Sequence, residues 1–342
     1  MAPQLAGEGA NGHIDPMDTA STNAAEPLPP PERAARKARL EALIRTERSA
    51  VLVVNTHSRR GNRLFRDAKT ALEQRGFTVV ESYPVRHAER MHEIVHNAIA
   101  RGHRFIALGG GDGSISSVVD QFAYREVVFG LLPLGTANSF ARSLGVPVDL
   151  DGAIDVIASG KVSDVDLVKL NEDYFANGSS IGLPAAVGRA TTPRLKRWFG
   201  RLAYVLVGAR EFFRFEPFRC VIHHHGRVES FSAVEVRINN GAYQGGVRVV
   251  EEADPDSGDL VVQAVESGSR WAIPREWARV ALRLPVGAVA RRQIRASSLL
   301  IETDPPHDIA IDGEVLTRTP ARISIAPNAL MIMTPLSFDD RR

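Results

Sequence analysis

The apolar run Phe105-Ile-Ala-Leu108 leads directly into Gly109-Gly110-Gly111-Asp112-Gly113-Ser114, and residues 115–123 then read as a helix. This joint constrains the chain more than any other stretch. Without Cβ atoms the backbone can turn tightly and approach a ligand closely, and the helix that follows offers unpaired N–H groups and the positive end of its dipole to an anion. Those properties describe a phosphate cradle. Asp112 does not belong beside bare phosphate, but a carboxylate among phosphate donors makes sense when a divalent cation lies between the two charges. The competing account is a Gly-rich turn that merely packs tightly.

The surrounding pattern favours the cradle. From Ala50 onward, short β-branched runs alternate with amphipathic segments: strands are expected at residues 51–54, 78–81, 105–108 and 127–132. Met91, Ile94, Val95, Ala98 and Ile99 give the helix between the second and third a single buried face. This alternation predicts a doubly wound parallel sheet, in which ligands sit outside the carboxyl ends of the strands. Three loops of unusual composition fall at those ends. The first, residues 55–62, carries Asn55, Ser58, Arg59 and Gly61; the second is the Gly-rich loop with Gly110, Gly111, Asp112, Gly113 and Ser114; the third, residues 133–142, carries Gly135, Thr136 and Asn138. Each alone is an ordinary polar or capping loop, but three on one sheet edge point to one nucleotide site. Neither Gly-x-x-x-x-Gly-Lys-Ser/Thr nor Gly-x-Gly-x-x-Gly is present, which disfavours a P-loop ATPase and a dinucleotide-binding dehydrogenase.

The rest of the chain bounds the alternatives. With 342 residues it has the length of about two domains. A net charge of +2 does not suggest nucleic acid, the single Cys220 rules out an internal disulfide and fits a reducing cytosol, and no apolar run of about 18 residues occurs. Residues 1–31 lack the basic and apolar regions of a secretory signal and are expected to form a disordered tail; a helix follows, with Leu40, Leu43 and Ile44 as its apolar stripe. The α/β domain is expected over residues 32–146, and residues 329–342 are expected to return to it. After Pro147 the pattern becomes short alternating strands, predicting an antiparallel β-sandwich over residues 147–328.

Several motifs in order make the chain resemble the diacylglycerol kinase catalytic-domain family, which includes bacterial soluble lipid kinases and sphingosine kinases. They are Asn55 to Gly61, Gly-Gly-Asp112-Gly-Ser, the run from Pro133 through Asn138 to Arg142, and Asp312-Gly-Glu314. The resemblance covers residues 51–334 and implies an α/β domain of the NAD kinase and phosphofructokinase type followed by a β-sandwich. ATP and Mg²⁺ would occupy the cleft between them, and a lipid hydroxyl would be the phosphoryl acceptor. It assigns the general base to Asp312, with Glu314 as neighbour or substitute. It also implies a structural Mg²⁺ in the loop of Asp254, Asp256 and Asp259. Ser139 and Ser257 stand where the family usually has aspartate, and Thr56 where it has proline.

Outside those motifs, Arg194, Lys196, Arg197, Trp198, Phe199 and Arg201 make a basic, aromatic start to an apolar helix. It can be read either as a core helix with solvated arginines or as a contact with an anionic bilayer. His223-His-His225 before Gly226 reads as a hairpin turn. The resulting expectation is a cytoplasmic enzyme, peripheral to the inner membrane. Its partners would be a lipid substrate at an anionic membrane surface and a second copy in a homodimer, with nucleic acid excluded. Two rivals stay open: an NAD kinase, which shares Gly-Gly-Asp-Gly, and a protein that binds lipid or nucleotide without turnover.

Overall fold

The computed structural model describes residues 29–58, 60–190, 201–266, 271, 291–311 and 314–340. Most of the expected disordered tail, together with Arg59, Asp312 and the run Arg194, Lys196, Arg197, Trp198 and Phe199, lies outside the described residues.

The first half is a parallel sheet with helices on both faces. Helix α1 (Pro30–Glu47) precedes β1 (Ser49–Asn55), and α2 (Gly61–Gln74), β2 (Thr78–Val85), α3 (Ala88–Ala100) and β3 (Phe105–Gly110) follow. Next come α4 (Asp112–Ser116), a 3₁₀ turn (Val119–Phe122), β4 (Val128–Pro133), α5 (Ser139–Ser143) and α6 (Leu150–Ser159). The parallel strands lie in the order β2-β1-β3-β4. Strands β3 and β4 are buried along their whole length, as expected of strands covered on both faces. Helices α2 and α6 pack together on one face, and α3 with the 3₁₀ turn on the other.

One expected element differs. The helix predicted over residues 115–123 begins three residues earlier, at Asp112, and ends at Ser116. The residues that follow, Ser117, Val118 and Val119, are poor helix formers, and the Ser117 hydroxyl donates to the Ser114 carbonyl at 2.9 Å.

The second half is antiparallel. It comprises β5 (Lys161–Leu170), β6 (Asp173–Phe175), β7 (Gly178–Gly182), α7 (Leu183–Ala190), α8 (Arg201–Arg214), β8 (Phe218–His224), β9 (Arg227–Asn239), β10 (Tyr243–Gln244) and β11 (Val247–Arg248). It closes with β12 (Leu260–Glu266), β13 (Arg291–Ala296), β14 (Ser298–Asp304), β15 (Asp308–Ile311), β16 (Glu314–Arg318) and β17 (Ala321–Thr334). The three histidines sit at the β8–β9 hairpin, where His225 (φ 47°) and Gly226 (φ 70°) make the turn.

Two strands join the halves. Strand β17 pairs in parallel with β4 at Ile332 and Phe129, and antiparallel with β14 and with β5 along its length except at Asp166. Val162, Val165 and Leu167 of β5 lie in the core of the first half, but Val168 and Leu170 lie in that of the second. Strand β17 does the reverse, with Ala321 and Ile323 in the second core and Leu330 to Met333 in the first.

Candidate active site

The three loops meet at the carboxyl ends of β1, β3 and β4. At the first, Asn55 bridges two of them: its Oδ1 accepts from His57 N at 2.9 Å and its Nδ2 donates to the Ser114 hydroxyl at 2.8 Å. The neighbouring Thr56 is buried and anchored to β2, its N–H and hydroxyl both donating to the Val85 carbonyl, at 2.6 and 3.2 Å. A proline at this position would lack that N–H. Ser58 is exposed, and its carbonyl accepts from Gly61 N, the residue that starts α2.

The second and third loops touch backbone to backbone. A Cβ on Gly135 would lie 2.4 Å from Gly111 Cα, so this approach requires glycine. Gly110 reinforces the junction, its carbonyl accepting from Leu134 N at 2.9 Å. Asn138 holds the third loop shut from inside. It is buried in the left-handed region (φ 50°), its Oδ1 accepts from Gly135 N at 2.9 Å, and its Nδ2 donates to the Pro133 and Gly135 carbonyls. Thr136, at the tip, is exposed. Around Gly113 a Cβ would meet nothing within 4 Å, so the start of α4 faces open space.

Asp112 lies between these loops, half-buried, and its Oδ1 accepts from Phe140 N at 3.2 Å at the start of α5. Burial pushes its carboxyl above the ordinary value; the backbone N–H groups of Phe140, Ser139 and Asn138 oppose that push without cancelling it. A carboxylate held at such a cost in a glycine-lined junction suits a divalent cation, whose charge would offset the burial. Mg²⁺ is commonly held by one or two carboxylates together with phosphate oxygens. The residues present therefore fit a nucleotide with its cation at this place.

The second half covers the cleft from the other side. Ser139 Oγ accepts from Gly246 N at 3.0 Å, and Ser143 Oγ donates to Asn177 Oδ1 at 3.0 Å, while Asn177 Nδ2 donates to the Tyr243 carbonyl at 2.6 Å. Ser139 thus supplies a contact between the two halves. Strand β15 runs antiparallel to β7, and its last residue, Ile311, pairs with Ser179, two residues from Asn177. Glu314 pairs back with Ile311 as β16 begins. Arg201 opens α8.

The loop of Asp254, Asp256 and Asp259 is held by a residue outside it. Asp166, fully buried on β5, accepts from Gly258 N at 2.7 Å and from Asn328 N at 2.8 Å, and its own N–H donates to the Pro255 carbonyl. The Asp259 carbonyl, a candidate cation ligand, accepts from the Ser257 hydroxyl at 3.1 Å, and Asp254 Oδ1 accepts from Asp256 N. Among the described residues no three His, Cys, Asp or Glu side chains gather as a cation-binding group. Asp166 was the missed residue, and its signal was two acids, Asp164 and Asp166, inside an apolar strand.

Comparison with known proteins matches this layout domain by domain. Residues 49–170 match the model of the diacylglycerol kinase catalytic domain, and residues 177–334 that of the YegS C-terminal NAD kinase beta sandwich-like domain. The chain belongs to the diacylglycerol kinase catalytic-domain family. It is 26% identical over 277 residues to a protein of Mycobacterium tuberculosis named diacylglycerol kinase, covering 77% of this chain and 87% of that one. An uncharacterized protein of Synechocystis is 25% identical over 256 residues; the match takes in 72% of this chain but 59% of that longer protein. The crystal structure of a putative diacylglycerol kinase from Bacillus anthracis superposes with a TM-score of 0.70 at 24% identity, covering 85% of this chain and 98% of that one, which establishes the shared fold. With the catalytic-domain match and relatives named diacylglycerol kinase and probable lipid kinase, the chain is a lipid kinase.

Proposed function

We propose that the protein transfers the γ-phosphate of Mg²⁺-bound ATP to a hydroxyl of diacylglycerol or a related lipid. The observation that carries this reading is the position of Asp112, a half-buried carboxylate where the Gly-rich loop, the third loop and the start of α5 converge. Bound Mg·ATP supplies the phosphoryl group, with the cation spreading its charge. The loop amides from Gly111 to Gly113 orient the phosphates, Asp112 holds the cation, and Asn55 and Asn138 keep the loops in register around them. The acceptor hydroxyl enters from the second half. There Asp312, which follows the last residue of β15, accepts the hydroxyl proton as the oxygen bonds to phosphorus and ADP departs, with Glu314 as its substitute. The relative named diacylglycerol kinase supports this acceptor class. The expected setting is the cytoplasmic face of a membrane; among the described residues no helix is long and apolar enough to cross one.

The decisive experiment incubates purified protein with labelled ATP, Mg²⁺ and a panel of lipid vesicles. Label is expected in a hydroxyl-bearing lipid and to disappear on chelation of the cation. Label transferred to NAD instead, or nucleotide binding without turnover across the panel, overturns the reading.

A further inference from the structure

Three residues of α8 that share one helix face, Arg210, Phe213 and Arg214, are exposed, whereas Val207 is buried and, just beyond the helix, Phe215 lies in the second core. An aromatic ring between two arginines on the outward face is not what solvation alone favours. Phe213 leaves 64% of its surface exposed, and Trp271, from a segment distant in sequence, leaves 60%. The two rings meet edge-to-face at 6.4 Å and both lie edge-on to Phe212, at 5.5 and 5.2 Å, so the exposed aromatics form one cluster anchored to the core through Phe212.

The sequence stretches that carry these aromatics are equally one-sided in charge. From Arg189 to Arg214 the chain carries seven basic residues and one acid, and from Arg270 to Arg283 four arginines and one acid. Since the whole chain totals +2, the remainder is net acidic. All three tryptophans, Trp198, Trp271 and Trp277, fall within these two stretches. Rings with apolar bodies set among arginines, on an otherwise acidic molecule, match a surface that is apolar a few ångströms below a negatively charged plane.

We propose that the Phe212–Phe213–Trp271 cluster, flanked by Arg210 and Arg214, docks on an anionic lipid bilayer. This deepens the lipid-kinase reading and rests on it for the purpose of docking, since a water-insoluble acceptor must be collected at an interface. Phe213 and Trp271 enter the acyl boundary while the arginines meet lipid phosphates, each adding attraction that salt screens.

The test is co-sedimentation of the full chain with vesicles of phosphatidylglycerol and phosphatidylcholine, compared with phosphatidylcholine alone. Wild type is expected to prefer the anionic vesicles. Phe213→Ser with Trp271→Ser is expected to weaken that binding by at least about tenfold while leaving transfer to a short-chain, water-soluble diacylglycerol at the wild-type rate. Arg210→Glu with Arg214→Glu is expected to weaken binding at low salt and to converge on wild type at high salt. Should the double aromatic variant melt early, Trp198→Phe with Trp277→Phe leaves Trp271 as the sole tryptophan, and brominated acyl chains are expected to quench it. Unchanged binding by the aromatic variant, an unquenched Trp271, or a wild-type dimer that this variant splits without loss of vesicle binding overturns the proposal. Sedimentation and quenching read docking whether or not phosphate is transferred, so failure of the kinase reading is seen separately.

Discussion

Asp112 is asked to do two opposed things. It stays charged in a half-buried junction, and it accepts hydrogen bonds from the start of α5. Its folded-state value lies above the ordinary 3.8, so the folded protein holds this proton longer than the unfolded chain. The stability it contributes is complete below the unfolded value and is lost as pH rises through the folded one. At neutral pH the charge therefore opposes folding, and Asp112→Asn is expected to melt no lower than wild type at pH 7, with the difference shrinking as the pH is lowered and gone by about pH 4. The same substitution is expected to abolish Mg²⁺-dependent transfer. Melting well below wild type would make the carboxylate a structural cap of α5, and near-normal turnover would remove it from the mechanism. Asp312→Asn tests the other side of the cleft: nucleotide affinity is expected to hold while kcat falls by on the order of 10²-fold or more, the scale of general-base catalysis. Unchanged turnover would transfer the role to Glu314.

At the scale of elements, local patterning was legible and long-range use of the same residues was not. The β-branched runs at 51–54, 105–108 and 127–132 became β1, β3 and β4 because strands buried on both faces need such residues throughout. The three loops could be assigned to one sheet edge because parallel topology puts all carboxyl ends together. Ser139 looked like a lost acid, since nothing local shows that its hydroxyl would receive Gly246 N from more than a hundred residues away. What holds the acidic loop was hidden for a similar reason: its organiser, Asp166, lies on a strand some ninety residues earlier. That organiser gives a prediction about the element. Replacing Asp166 with asparagine turns one acceptor toward a backbone N–H into a donor, leaving Gly258 N or Asn328 N without its partner in a buried site. A loss of about 2–3 kcal/mol is expected from urea midpoints, the cost of a buried charged hydrogen bond. A shift below about 0.5 kcal/mol would mean that the loop finds its partners in water.

The whole molecule is held by strands that do not respect the division into halves. An α/β domain and a sandwich joined by a linker would unfold separately, but β5 and β17 pair with each other across both cores, so neither core keeps its central ladder if the other opens. A second tie closes the far side of the first half. The fully buried Asp164 of β5 meets Arg33 at 3.1 Å and Lys37 at 2.7 Å from α1, and Lys37 also meets Asp340 at 2.8 Å. Burial lowers the Lys37 ammonium, but its bonds to Asp164 and Asp340 outweigh that and leave it raised. That β5 and β17 are partners along nine residue pairs depends on register between distant segments, which periodicity does not encode. One cooperative calorimetric transition is therefore expected for the full chain, its calorimetric and van't Hoff enthalpies agreeing. Truncation before Ala321 is expected to leave no folded first half, although every residue of β1 to β4 is still present. Two resolved transitions, or a truncated protein that keeps the dispersed amide NMR spectrum of a packed α/β sheet, would show that the cleft joins two independent bodies and that β17 merely links them.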